Sequence, residues 1–172
     1  ADGRLLVKSL LPAQKEIAKL GGEGQWFVDA NGKLIRSRGP YLDWGAYWTG
    51  SWRAEIRSQA GEYLTVMQLG DSRVLQTMSP VMKIESATCS GALIDNKRVV
   101  IFSKKNAAQN AVSYQINSTQ NVAHLVSGLA PSTFMKIRKN GAPHLNVKTS
   151  SHGVLSFKDS LGGSVKFDIG VN

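Results

Sequence analysis

Apolar and polar residues alternate with a period of two in short stretches that recur along the chain from Trp52 onward. Residues 52–57 alternate apolar and charged side chains, which is typical of a half-buried strand. Similar stretches follow roughly every ten residues, separated by turns that contain Gly and Asn, and this pattern predicts an all-β, antiparallel β-sandwich of about ten to eleven short strands. The other predicted strands are residues 63–69, 81–85, 91–94, 98–103, 112–116, 123–126, 133–138, 145–149, 154–157 and 164–169.

Two segments depart from simple alternation. Residues 63–69 contain more apolar residues than the other stretches, so we predict a central strand there. Residues 12–20 predict a helix of about two turns, with Pro12 near its start and a Gly-Gly stop at residues 21–22.

Residues 128–134, Gly-Leu-Ala-Pro-Ser-Thr-Phe, resemble the corner that precedes a strand in fibronectin-type and immunoglobulin-like sandwiches. In those domains a tyrosine hydroxyl at the start of the strand forms a hydrogen bond with the backbone upstream. Phe134 stands at the corresponding place here, so we predict the local turn without that hydrogen bond.

Nothing in the sequence divides the chain into parts. It has 172 residues and no linker, low-complexity tract or internal repeat, so we predict a single β-sandwich domain over residues 1–172. Its apolar runs are a few residues long, whereas a membrane-spanning helix needs roughly 20, and we predict no membrane partner. The chain begins Ala-Asp-Gly-Arg instead of with Met, and we therefore expect a mature or excised piece of a larger protein.

The charge of the chain is strongly positive. Lys and Arg total 21 against 12 Asp and Glu, for a formal net charge of +9. Such a field concentrates polyanions without identifying them, so nucleic acid, anionic lipid and acidic polysaccharide are all compatible with it. The alternative is that the charge only keeps the domain soluble.

The densest group of aromatic and cationic residues lies between residues 36 and 52. Three of the four Trp and two of the four Tyr fall there, with two Arg just upstream of them. Aromatic rings can stack on the apolar faces of sugars, and Arg forms bidentate hydrogen bonds with carboxylates or sulfates. The alternative is that aromatics pack in the core, which we predict for Trp52 and Trp26. The candidate ligand-binding residues are Arg36, Arg38, Tyr41, Trp44, Tyr47 and Trp48.

Two clusters of basic residues follow later in the chain. The first cluster combines Lys97 and Arg98 with Lys104 and Lys105, and the second consists of Lys136, Arg138 and Lys139 at the strand predicted at residues 133–138. The candidate ligand-binding cations among them are Lys104, Lys105, Lys136 and Arg138. A spacing of two places Lys136 and Arg138 on one face of that strand. Such a face is commonly only solvated surface, but point charges also suit a repetitive polyanion, so these four cations complete the candidate ligand-binding set.

The sequence contains no pattern typical of a catalytic or metal site. His124, His144 and His152 lack the spacing of a zinc site, and Cys89 is the only cysteine. The sequence also lacks a nucleophile elbow and a phosphate-binding loop. A lyase can use Tyr and His as base and acid, but no spacing places such a pair here. We predict no cofactor, no metal ligand and no catalytic residue.

The order of several segments resembles the C-terminal β-sandwich region of the heparinase II/III-like polysaccharide lyases. The likeness begins with Leu-Pro at residues 11–12 and a Gly-rich turn at 21–24, followed by an aromatic strand at 26–29. It continues with Trp-Arg-Ala-Glu-Ile at 52–56 and Leu-Thr-Val-Met-Gln-Leu-Gly-Asp at 64–71. Later segments that share the likeness are residues 101–104 and 124–131.

The resemblance implies an accessory, carbohydrate-binding-module-like domain of a secreted bacterial lyase. The α/α toroid of such lyases has no counterpart in this sequence, and no catalytic motif of the family is matched. The expected partners are an acidic polysaccharide, such as alginate or a glycosaminoglycan, and the catalytic domain of the same parent chain. The expected location is secreted or periplasmic.

Four functions follow from these observations. The first is a non-catalytic module that binds an acidic, uronate- or sulfate-bearing polysaccharide. The alternative is a structural β-sandwich of a polysaccharide lyase with no ligand of its own, which predicts an exposed apolar patch. A single-stranded nucleic-acid module also fits aromatic and basic residues, but the family resemblance disfavours it. A lyase in its own right is the fourth, and no residue pattern supports it.

Overall fold

The structure, a computed structural model, describes residues 3–21, 27–28, 34–35, 52–59, 61–104 and 111–171. These residues form strands and no helix, so none of them forms a helix long and apolar enough to span a membrane. The predicted all-β class is confirmed. The strands are β1 (Gly3–Leu11), β2 (Glu16–Gly21), β3 (Phe27–Val28), β4 (Leu34–Ile35), β5 (Trp52–Arg57), β6 (Leu64–Asp71), β7 (Val81–Glu85), β8 (Cys89–Ile94), β9 (Arg98–Ser103), β10 (Ala111–Ser118), β11 (Asn121–Ser127), β12 (Phe134–Lys139), β13 (Ala142–Lys148), β14 (Leu155–Ser160) and β15 (Gly163–Gly170).

Two larger sheets form the sandwich. One has five strands in the order β14-β11-β9-β8-β7, and the other has four in the order β10-β15-β12-β13. Along β10 and β12 buried and exposed residues alternate, because successive side chains of a strand point to opposite faces. Each of these strands therefore presents one apolar row to the partner sheet and one polar row to solvent.

The core lies between the two sheets and is made of apolar side chains from both. Burial of one such side chain stabilises the fold by about 1.5–3 kcal/mol. The most completely buried, each at most 1% exposed, include Met135, Ile137 and Phe167 from the four-stranded sheet and Val99, Ile101 and Leu155 from the five-stranded sheet.

One strand pair in the sandwich departs from the antiparallel prediction. β9 and β11 pair in parallel, with Val99 opposite His124 and Ile101 opposite Val126. The strand between them in sequence, β10, belongs to the other sheet. The chain therefore crosses the sandwich and returns beside β9 in the same direction, which a short hairpin could not achieve.

The chain forms two compact units. The first comprises residues 1–10 and 64–172 and contains the sandwich, and the second comprises residues 11–63. Within the second unit, β2 pairs with β5 and β3 pairs with β4, both antiparallel. The prediction of one domain over residues 1–172 is not tested by this division and stays a prediction.

Two local predictions are wrong. The helix predicted at residues 12–20 is replaced by β2, in which Glu16 lies opposite Arg57 and Ile17 opposite Ile56. Pairing with β5 extends over the whole of β2, whereas an isolated helix of two turns is not stable. β6 was predicted to be central, but among the described strands it pairs only with β1 in a two-stranded sheet, and Met67 is 64% exposed.

Candidate functional site

The outward row of β12 carries the two cations that the sequence placed on one strand face. Phe134, Lys136 and Arg138 are exposed, whereas the intervening Met135 and Ile137 are at most 1% exposed. The predicted common face of Lys136 and Arg138 is therefore confirmed. Neither cation forms a hydrogen bond or ion pair with another described side chain, so both are available to a ligand.

The register of the sheet decides which residues accompany these cations. Across β15, Lys136 lies opposite Gly170 and Arg138 lies opposite Asp168. One strand further, Ser113 of β10 lies opposite Asp168. The four strands therefore bring residues from distant parts of the sequence into one outward surface, which we call the basic face. The basic face consists of Ser113, Phe134, Lys136, Arg138, Lys148, Lys166 and Asp168.

A cleft of about 270 Å³ opens on the basic face. Lys136 and Arg138 line one part of it, and Ser113 and Asp168 line another. Gly170 also lines the cleft together with Ala111 of β10, which lies directly opposite it. Because these two residues have little or no side chain, the surface is lower beside the polar groups.

The carboxylate of Asp168 is held ionised within this basic surface. Ser113 Oγ donates a hydrogen bond of 2.7 Å to Asp168 Oδ1, and Lys166 Nζ lies 3.0 Å from the same oxygen. The hydrogen bond from Ser113, followed by the interactions with Lys166 and the charge of Arg138, lowers the pKa of Asp168 below its ordinary value. The cleft therefore presents a fixed negative group beside two free cations.

One aromatic ring extends the basic face along β12. Phe134 is 55% exposed and lies directly opposite Lys148 of β13. The Lys148 ammonium sits 5.7 Å from the centre of the Phe134 ring, a distance at which a cation is attracted to the ring face. The exposed Phe134 ring thus lies on the same face of β12 as Lys136 and Arg138, which follow it by two and four residues.

Lys104 lies beside the cleft but differs from the other cations. Its backbone N–H donates to the carbonyl oxygen of Thr88 at 3.0 Å, and Thr88 lines the cleft. Its ammonium lies 3.6 Å from Glu85 Oε1, so part of its charge is already balanced. Lys104 is therefore near the predicted site without being free for a ligand.

The remaining predicted ligand-binding residues lie outside the described residues, and their part in a site stays a prediction. They are Arg36, Arg38, Tyr41, Trp44, Tyr47, Trp48 and Lys105.

A second cleft, of about 350 Å³, lies on the outer side of the five-stranded sheet. Arg98, Ser156 and Lys158 line it, so it offers two cations and a hydroxyl with no acidic residue in its lining. These two cations provide a matched control for the pair on β12.

The most perturbed titratable side chains are buried in the core. Tyr114 and His124 are each 2% exposed, and a hydrogen bond of 2.8 Å joins the Tyr114 hydroxyl to His124 Nδ1. His124 Nε2 has no hydrogen-bond partner among the described residues, and the ring stacks on Phe157 with the centres 4.3 Å apart. Burial lowers the pKa of His124 to about 4 and raises that of Tyr114.

The Tyr114–His124 pair was not predicted from the sequence. The sequence nevertheless contained a local indication of the burial of His124. His124 alternates in phase with Val122 and Val126, which places it on the inward face of β11. Tyr and His are the residue types that a lyase uses for proton transfer. Here, however, both side chains are buried in the core.

No family model matches the chain, and no curated protein matches its sequence. The likeness to the β-sandwich of heparinase II/III-like lyases therefore stays a prediction that rests on the segment order alone.

Proposed function

We propose that this chain is a non-catalytic carbohydrate-binding module that recognises an acidic, uronate- or sulfate-bearing polysaccharide such as alginate or a glycosaminoglycan. The observation that carries the proposal is that Lys136 and Arg138 lie side by side and exposed at the cleft of the basic face. Neither forms a hydrogen bond or ion pair with another described side chain. Charge-assisted hydrogen bonds from such cations to carboxylate or sulfate are the stronger class of hydrogen bond.

Two further features support a sugar ligand over other polyanions. Phe134 stands in line with the two cations and offers an aromatic surface to the apolar side of a sugar ring. The segment order resembles an accessory domain of lyases that act on acidic polysaccharides. Under this proposal the module is secreted or periplasmic, and its partners are the polysaccharide and the catalytic domain of a parent lyase.

The test is affinity electrophoresis in gels that contain alginate, chondroitin sulfate or a neutral glucan. We expect retardation by the acidic polymers and little by the neutral one. Lys136→Ala with Arg138→Ala should weaken binding about tenfold or more, since each lost charge-assisted contact is worth roughly 1 kcal/mol or more. The control is Arg98→Ala with Lys158→Ala, which removes the same charge from the other sheet.

The control decides between a local site and general charge attraction. Equal weakening by both double variants, or greater weakening by the control, would show that the cleft on β12 is not the site. Retardation by the neutral glucan equal to that by alginate would contradict the role of charge. Absence of binding to every acidic polymer would refute the proposed function itself.

One observation favours the alternative, a structural sandwich with no ligand of its own. Leu5 and Val7 share one face of β1 and are 50% and 52% exposed, and Met67 and Leu69 share one face of β6 and are 64% and 79% exposed. Such apolar surface is typical of a protein contact, and the occupant under this alternative is the catalytic domain of the parent chain. This alternative predicts no glycan affinity in the isolated module.

A further inference from the structure

We propose that the cleft of the basic face selects a uronate chain, with one carboxylate on each sugar, over a densely sulfated chain, and that Asp168 is the residue that sets this preference. The inference rests on the proposed function, since it names the class of polysaccharide that the same site prefers. It starts from the presence of an ionised carboxylate in a surface otherwise made of cations.

Asp168 is the exception among the charged residues of the four-stranded sheet. Within β10, β12, β13 and β15 it is the only Asp or Glu, among five Lys and Arg. One of the five, Lys139, is directed elsewhere, with its ammonium 2.8 Å from Asp159 of β14. The other four, which lie on the same face of the sheet as this single negative group, are Lys136, Arg138, Lys148 and Lys166.

The hydrogen bonds of Asp168 leave one of its oxygens for a ligand. Ser113 and Lys166 both engage Oδ1, and Oδ2 accepts no hydrogen bond from a described residue. Asp168 lines the cleft, with its side chain 34% exposed. Oδ2 is therefore the oxygen of Asp168 that is left to accept a hydrogen bond from a ligand.

The two sides of the cleft thus require opposite groups. Lys136 and Arg138 donate only, so they suit an anion, whereas an ionised carboxylate accepts only and suits a hydroxyl. A uronic acid residue carries one carboxylate and free hydroxyl groups on a single ring. Ala111 and Gly170, in the neighbouring row of the sheet, line the same cleft with little or no side chain and leave room beside the polar groups for such a ring to lie against the sheet.

A densely sulfated chain meets the same cleft differently. Once one sulfate lies at Lys136 and Arg138, its neighbours fall within reach of the Asp168 carboxylate, and like charges at such short range repel. Each sulfate also replaces a hydroxyl that could have donated to Oδ2. Asp168 therefore penalises sulfate density while it favours a sugar with free hydroxyls.

The experiment compares Asp168→Asn with the unmodified protein on polygalacturonate and on heparin at one ionic strength. Asn keeps the shape and an acceptor oxygen but removes the charge. We expect heparin affinity to rise about fivefold while polygalacturonate affinity stays within about twofold, which corresponds to roughly 1 kcal/mol of changed selectivity. Asp95→Asn is the control, because it removes one exposed carboxylate, paired with Lys97 at 3.2 Å, far from this sheet in sequence.

A second variant guards against a loss of folding in Asp168→Asn. Ala111→Asp adds a carboxylate at an exposed position of the cleft without touching the Ser113–Asp168 contact, and it should lower heparin affinity more than polygalacturonate affinity. Equal changes for both polymers, or the same selectivity change in Asp95→Asn, would overturn the inference. Binding of both polymers without any dependence on Asp168 leaves the proposed function intact, whereas binding of neither refutes both.

Discussion

The imidazole of His124 shows how a single residue can make the fold sensitive to acid. It is buried among aromatic rings, its Nδ1 is hydrogen-bonded to Tyr114, and its pKa is lowered from 6.5 to about 4. Burial is the largest cause, and the nearby charges of His144 and Lys139 act in the same direction, whereas the charge of Asp159 opposes it. The neutral ring is therefore the form that the core accepts.

The sign of the resulting pH dependence follows from that shift. Between pH 6.5 and about pH 4 the unfolded state binds more protons at His124 than the folded state, so the free energy of unfolding falls as the pH is lowered. The full effect is on the order of 3 kcal/mol, from about 1.4 kcal/mol for each pH unit between the two pKa values. The contribution is fully present above pH 6.5.

His124→Phe tests this account of acid sensitivity. Phe fits an aromatic cluster and does not titrate. The free energy of unfolding of the variant should therefore decline less than that of the unmodified protein between pH 7 and pH 4. Urea unfolding across this range measures the difference, in which the contributions of carboxylates common to both proteins cancel. Parallel pH profiles would contradict the assignment of the titration to His124.

At the scale of elements, the turn before β12 is stabilised by a residue that the sequence of the turn did not indicate. The sequence predicted a turn lacking the tyrosine hydrogen bond, because Phe134 occupies that place, and Phe134 is outward and exposed. Thr149 Oγ1 instead donates to the carbonyl of Ala130 at 2.6 Å and accepts from the N–H of Thr133 at 2.9 Å. A threonine from the far end of β13 thus replaces the tyrosine hydroxyl.

Thr149→Val should therefore destabilise the sandwich. Thr149 is 4% exposed, and valine of similar shape leaves the backbone groups of Ala130 and Thr133 without this partner, at a cost of about 1–3 kcal/mol. Thr133→Val is the matched control. The Thr133 hydroxyl donates a hydrogen bond to the carbonyl oxygen of Pro131 in an exposed position, so the loss of this bond should cost less. Thermal unfolding compares the two, and equal losses would contradict the bracing role of Thr149.

Strands with clear alternation were predictable, whereas their partners were not. The predicted bounds at residues 52–57, 81–85 and 98–103 coincide with β5, β7 and β9, because alternation and turn residues are local properties. β2 was mistaken for a helix because Pro and Gly at its ends fit helix boundaries equally well, and only pairing with β5 decides. The parallel pairing of β9 with β11 depends on the whole topology and has no local signal.

The candidate site was likewise only partly predictable from the sequence. Lys136 and Arg138 could be placed on one face because a spacing of two fixes their relation within a strand. Asp168 and Ser113 come from other strands, and their positions beside Arg138 follow from the register of three strands. The sequence therefore predicted the cations of the candidate site but not the acidic group beside them.

At the scale of the whole molecule, the positive charge is concentrated in the part of the chain that contains the sandwich. Residues 81–172 contain eleven Lys and Arg and four Asp and Glu, so they contribute +7 of the net +9. A field of this sign speeds the approach of any polyanion, and the cleft of the basic face gives that field a place of contact. Under the proposed function, the charge provides attraction and the arrangement of Lys136, Arg138 and Asp168 provides preference.

The most direct test of this account is the dependence of alginate affinity on salt. Binding through cations releases counterions from a polyanion, so the dissociation constant should rise linearly with salt on logarithmic axes, as it does for nucleic acids. Lys136→Ala with Arg138→Ala should reduce that slope by about one unit or more, since roughly 0.7–0.9 of a counterion is released per contact. The same slope in this variant as in the unmodified protein, or alginate binding that is indifferent to salt, would contradict the central claim that these two cations hold an acidic polysaccharide.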